Sequence, residues 1–81
     1  MPYIKVKSRV DIDSGLKIPA TAGELNYVFT KAIINYLDFK GKSYQTFNDI
    51  IGALEGAKIE LYRRKIASYE DLKIKENGDV Y

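Results

Sequence analysis

Leu25, Val28, Phe29, Ala32, Ile33, Tyr36 and Leu37 recur three and four residues apart, the spacing that lines apolar side chains along one face of a helix. End signals bracket this stripe. Thr21-Ala22-Gly23-Glu24 has the form of a capping box, in which a threonine hydroxyl and a glutamate three residues later satisfy free backbone amides. Lys40-Gly41 supplies a cation and a C-terminal glycine. Together these features predict a helix over 21–40. A second stripe, Phe47, Ile50, Ile51, Leu54, Ala57, Leu61 and Tyr62, follows Thr46 and Asp49, which offer another N-terminal cap. It predicts a helix over 46–67. The link Gly41 to Gln45 is short, and short links between helices of matching length produce an antiparallel hairpin whose stripes face each other.

The ends of the chain carry a different period. Tyr3-Ile4-Lys5-Val6-Lys7 alternates apolar and charged residues, which predicts a short strand over 1–7. Residues 8–20 hold no sustained period, and Ser14-Gly15 and Pro19 punctuate them as a loop or arm. Beyond Glu70-Asp71, Leu72 and Ile74 alternate with Lys73 and Lys75 before Asn77-Gly78, the residue pair suited to a type I′ turn. This predicts a small β-hairpin over 72–81. Its returning strand, Asp79-Val80-Tyr81, is short enough to need the N-terminal strand or a neighbouring subunit as a partner. The expected fold is therefore α+β and mostly helical: one domain over 1–81, a two-helix hairpin with a short N-terminal strand and a C-terminal β-hairpin.

A chain of 81 residues has one core to build and, at that length, buries only about 60% of its unfolded surface. Homo-oligomerisation would relieve the shortfall, and it is expected here. The sequence contains no cysteine and no histidine, which removes disulfides, thiolate nucleophiles, the usual zinc sites and imidazole acid–base chemistry. What remains for catalysis is carboxylate pairs, an activated lysine or an oxygen-ligated metal. Glu55 and Glu60 lie five residues apart and so point to different sides of a helix, Glu70-Asp71 lie beyond the expected core, and Asp49 is a capping residue. No enzyme activity, cofactor or metal site is predicted. The glycines are scattered singly and form no phosphate-binding loop. A net charge of +2 is too small to announce a nucleic-acid polymer as partner. No apolar run approaches the ~18 residues of a membrane span, and the Met1-Pro2-Tyr3-Ile4-Lys5 opening lacks the apolar segment of a signal peptide. A cytoplasmic location is expected.

Two features point to binding. Gly52 and Gly56 fall inside the second helix, where each glycine costs about 0.8–1.0 kcal/mol relative to alanine. Four residues apart, they share a side with Asn48, Ile59 and Arg63. Such a bare side serves either close helix packing, within or between subunits, or a flat ligand with Asn48 and Arg63 at its ends. The second feature is tyrosine, seven in the chain with no tryptophan, which joins an apolar face to a hydroxyl. Tyr3, Tyr27 and Tyr44 fall outside the stripes and are available for stacking. Tyr62-Arg63-Arg64-Lys65 sets an aromatic beside guanidinium groups, which suits phosphate and base recognition, although cations in a last turn also complement the helix dipole.

Gly23-Glu24-Leu25-Asn26-Tyr27, Ser43-Tyr44-Gln45, Asn48-Asp49-Ile50-Ile51-Gly52, Leu54-Glu55-Gly56, Tyr62-Arg63-Arg64 and the tail Lys73-Ile74-Lys75-Glu76-Asn77-Gly78-Asp79-Val80-Tyr81 carry a resemblance. With the Met1-Pro2-Tyr3-Ile4-Lys5 opening, they resemble a widespread family of short phage and bacterial proteins, largely of unknown function. Lys7 to Ala20 match no part of that pattern. The chain also looks similar to the phage anti-CBASS sponge proteins, which oligomerise and sequester the cyclic oligonucleotide signals of bacterial anti-phage defence. That similarity implies a homo-oligomer in the host cytoplasm that holds a cyclic dinucleotide at subunit interfaces without hydrolysing it. Arg63 and Arg64 would then meet phosphate, and Tyr3, Tyr27 or Tyr44 would stack on the bases. A protein-interaction module, an inhibitor or assembly factor, is the alternative.

Overall fold

The computed structural model describes residues 4–81 and contains only helices among them: α1 (Val6–Asp13), α2 (Ala22–Lys40), α3 (Tyr44–Leu61) and α4 (Ala67–Asn77), with a π-helical turn, Tyr62–Ile66, between the last two. The α+β expectation is corrected to an all-helical one. Met1–Tyr3, where the expected strand begins, lie outside the described residues. Lys5 is extended, with φ −64° and ψ 146°, but Val6 already opens α1. A strand needs a partner to take its backbone hydrogen bonds, whereas a helix closes them locally; with no second strand among the described residues, the helix wins. α1 also occupies the first half of the segment read as a loop.

The chain divides between Thr46 and Phe47 into two units. In the first, α1 packs on α2. Thr21 caps α2 as expected, its Oγ1 accepting from the Glu24 amide at 3.1 Å. The returning half of the box reaches one residue further back, because the Glu24 carboxylate accepts from the Ala20 amide at 2.8 Å. α2 ends at Gly41, whose N–H donates to the Leu37 carbonyl at 2.7 Å. Gly41 takes φ 81° and ψ 157°, a region open essentially to glycine alone. The cap of α3 is displaced from its expected place: Ser43 Oγ accepts from the Thr46 amide at 3.1 Å and bonds the Thr46 hydroxyl. Ser43, and not Thr46, is therefore the capping residue, and the helix starts at Tyr44.

The second unit is a continuous helical run. Between Ala57 and Asn77 there is neither glycine nor proline, so nothing breaks the helix where the change of period suggested an end. Leu61, Ile66 and Ala67 keep right-handed helical angles, and the Ala67 N–H donates to the Tyr62 carbonyl, five residues back, closing the π turn. The expected C-terminal β-hairpin is absent. Asn77 is helical, and only Gly78 has positive φ, at 85°, its N–H donating to the Ile74 carbonyl at 2.8 Å. An Asn-Gly pair suits a hairpin turn when both residues take positive φ; here Gly78 alone does, and the pair ends a helix instead. α2 has 19 residues, and α3 continues through the π turn into α4.

Candidate functional site

The residues singled out by the sequence separate into four groups. Tyr3 lies outside the described residues. Tyr27 is buried, 8% exposed, and its hydroxyl donates to Asp13 Oδ2 at 2.7 Å. That bond to a carboxylate, reinforced by desolvation, raises the Tyr27 pKa above its usual value. The ring is committed to holding α1 on α2, which removes it from stacking on a ligand. The third group, Asn48, Gly52, Gly56, Arg63 and Arg64, lies along the second unit and is exposed throughout. Tyr44, the first residue of α3, is 89% exposed.

The glycine side of α3 is bare. A Cβ built at Gly52 or Gly56 would meet no atom of the described residues within 4 Å, so neither glycine serves close packing within its own unit. The opposite side carries the apolar stripe, and it too is open: Ile51 is 66% exposed, and Phe47, Leu54 and Leu61 are also exposed.

The sequence singled out Tyr62-Arg63-Arg64-Lys65, and those residues form the π turn with Ile66. π turns are rare and recur at functional sites. No sequence signal of composition or spacing reveals one. The turn borders two clefts, and Tyr62 lines both. One, of about 360 Å³, runs from Glu55 and Lys58 past Ile59 to Arg63 and Ile66. The other, of about 520 Å³, lies between α4 and the tail from Gly78 to Tyr81. A hydrogen bond to the Glu70 carboxylate raises the Tyr62 pKa, keeping the phenol neutral and steadying its ring from α4. Tyr62 closes the apolar stripe in the sequence, and that spacing does not report its interaction with Glu70 across the π turn.

Among the cations here, Arg64 Nε pairs with Glu60 Oε1 at 2.8 Å and Lys58 Nζ with Glu55 Oε1 at 3.5 Å. Arg63 makes no ion pair or hydrogen bond among the described residues. The groove therefore presents an uncommitted guanidinium, a held tyrosine ring and the apolar flank of Ile59 and Ile66. This set can bind an anion and stack on a flat ring. Among the described residues no group of three or more acidic side chains is placed to hold a metal ion, and no helix is long and apolar enough to cross a membrane.

A family model described as a domain of unknown function, DUF6899, matches residues 1–80. No curated protein and no solved structure matches the chain.

Proposed function

We propose that the chain, which belongs to the DUF6899 family, is a non-enzymatic binding protein that captures a cyclic oligonucleotide at the π turn and holds it without turnover, as a sponge. The observation that carries this reading is the pairing of Tyr62 with the unpaired Arg63 on one groove wall. A cyclic dinucleotide offers phosphates and flat bases. Guanidinium answers the first with two parallel charge-assisted hydrogen bonds, and an aromatic ring answers the second at about 1–3 kcal/mol per stacked base. Asn48 and the bare glycines extend the same side of the helix, and Tyr44 stands exposed at its start. Removal of a host's cyclic alarm signal by a phage-encoded protein is the biological form of this reading.

Calorimetry with a panel of cyclic dinucleotides tests it. The expected result is saturable heat for at least one of them and intact ligand released on denaturation. Hydrogen bonds to charged groups contribute about 1.5–3 kcal/mol, so Arg63→Ala is expected to weaken binding tenfold or more. Arg64→Ala should cost less, because Glu60 already holds Arg64. No saturable heat from any member of the panel, or cleaved product on release, would defeat the assignment. The exposed stripe Phe47, Ile51, Leu54 and Leu61 then favours the second reading, a protein-interaction module that offers an amphipathic helix to a groove.

A further inference from the structure

We propose that the ligand is a guanine-bearing cyclic dinucleotide, and that the Asp71 carboxylate takes the pairing edge of a guanine stacked on Tyr62 while Arg63 holds a phosphate. The proposal rests on the sponge reading and adds the identity of the base. Both clefts beside the π turn are built wholly from residues after Phe47, so one unit supplies the whole site. They meet at Tyr62, and their charges are opposite. On the Arg63 side, Lys58 and Glu55 pair with each other at 3.5 Å, which leaves the Arg63 guanidinium as the net charge. On the tail side, the carboxylates of Glu70, Asp71 and Asp79 stand against Lys73 alone, and Glu76 already holds the Lys73 ammonium at 3.1 Å. Like charges repel and opposite ones attract, so the phosphates of a dinucleotide belong on the Arg63 side. The base edge is left to face the acidic cleft.

Of the three carboxylates in that cleft, two are committed. Glu70 accepts from the Tyr62 phenol, and Asp79 Oδ1 accepts from the Tyr81 amide at 3.0 Å. Asp71 has no hydrogen bond or ion pair among the described residues, and its charge reaches the Tyr62 phenol, which places it beside the stacking ring. A carboxylate accepts through two oxygens and has no proton to give. Guanine presents two adjacent donors on its pairing edge, N1–H and the N2 amino group, and these match the two oxygens as a bidentate pair. Adenine sets its N6 amino group beside the N1 lone pair, which a carboxylate repels. Cytosine does the same with its N4 amino group and N3. Uracil has one N–H between two carbonyls. Every base has a face to lay on the tyrosine, so Tyr62 contributes affinity and Asp71 makes the choice. A site that offers two acceptors rejects a base that cannot satisfy both.

Calorimetry on the full chain at one salt concentration tests the choice, with bis-guanine and bis-adenine cyclic dinucleotides of the same linkage. The bis-guanine ring is expected to bind about tenfold tighter or more. A ring with hypoxanthine in place of guanine lacks only the N2 amino group, and it is expected to bind the unmodified protein roughly tenfold more weakly than the guanine ring. Asp71→Asn exchanges one acceptor oxygen for a donor, a pattern that suits adenine. It should lower bis-guanine affinity about tenfold and leave bis-adenine affinity equal or higher. The readout is the ratio of the two affinities, because a general change of charge or of fold moves both together. Equal affinity for the two rings, a preference for adenine, indifference to the N2 amino group, or a ratio unmoved by Asp71→Asn would each overturn the guanine assignment and leave the sponge reading standing. Absence of saturable heat with every ring would sink the sponge reading, and the guanine assignment with it.

Discussion

The two units of this protein hold their helices by different means. In the first, polar side chains tie neighbouring segments together: Tyr27 on α2 to Asp13 on α1, Lys17 Nζ in the connecting segment to Glu24 Oε2 of α2 at 2.6 Å, and Arg9 Nε of α1 to the Ile4 carbonyl just before it at 3.1 Å. Ile4 and Tyr27 are buried beneath them. In the second, the polar contacts run mostly along the helix itself, as in Lys73 to Glu76, and the apolar residues stay open. The difference shows that a clasp of a few directed bonds can seat a short helix. A long apolar face needs area that a single small unit does not have.

Hydrogen exchange measured over a range of protein concentrations sharpens this contrast most. Amides of Phe47–Asn77 should slow tenfold or more as the chain is concentrated, while those of Ala22–Lys40 change little. Uniform behaviour would erase the distinction between the units. Next in size is Gly41→Ala. Forcing a side chain into the conformation at Gly41 costs about 1–3 kcal/mol, and thermal melting should show the loss.

A smaller and more local effect is expected from pH. The Lys17 contact and the Ala20 amide hold the Glu24 carboxyl below its ordinary value. The stability this contributes is present above the unfolded pKa, about 4.3, and drains away as pH falls through the lower folded value. The Tyr27 pKa is raised, so its contribution is present below about pH 10 and lost above it. Acid and alkali should each loosen α1 from α2, readable by exchange at Val10 and Ile12, with Glu24→Gln removing the acid limb. Gly52→Ala works in the opposite direction. With open space around it, the added methyl should stabilise α3 by about 0.8–1.0 kcal/mol, and any accompanying loss of dinucleotide uptake would locate the ligand on that side. The least effect belongs to Lys73→Ala, whose exposed pair with Glu76 contributes no more than about 0.5 kcal/mol.

The sequence was most informative where a signal was local and long. The stripe from Leu25 to Leu37, its Thr21 cap and its Gly41 end could be read because each reports on a helix's own hydrogen bonds. It misled where a short pattern has two uses. Alternation over five residues at Tyr3 to Lys7 and four at Leu72 to Lys75 suits a strand only if another strand is present, and Asn77-Gly78 closes a helix as readily as it turns a hairpin. At the candidate site, Arg63 and the bare glycines were visible as residue types. That Glu60 engages Arg64 while Arg63 stays uncommitted depended on the rotation of the helix there, which spacing alone does not report. Tyr27 illustrates the same limit: its place off the stripe suggested availability, and the Asp13 carboxylate on α1 had already claimed it.

The π turn has a geometric consequence. A turn closed by a bond five residues back holds one residue more than an α turn, and one residue corresponds to about 100° around the axis. α4 is therefore out of phase with α3 by more than a quarter of a revolution, and a line drawn along the stripe of α3 leaves the apolar residues of α4 to one side. One uninterrupted rod thus addresses two directions. Removing Lys65 would restore a plain α turn and leave the side chains of α4 on their present bearing, because the deletion takes out the one residue that the π turn absorbs.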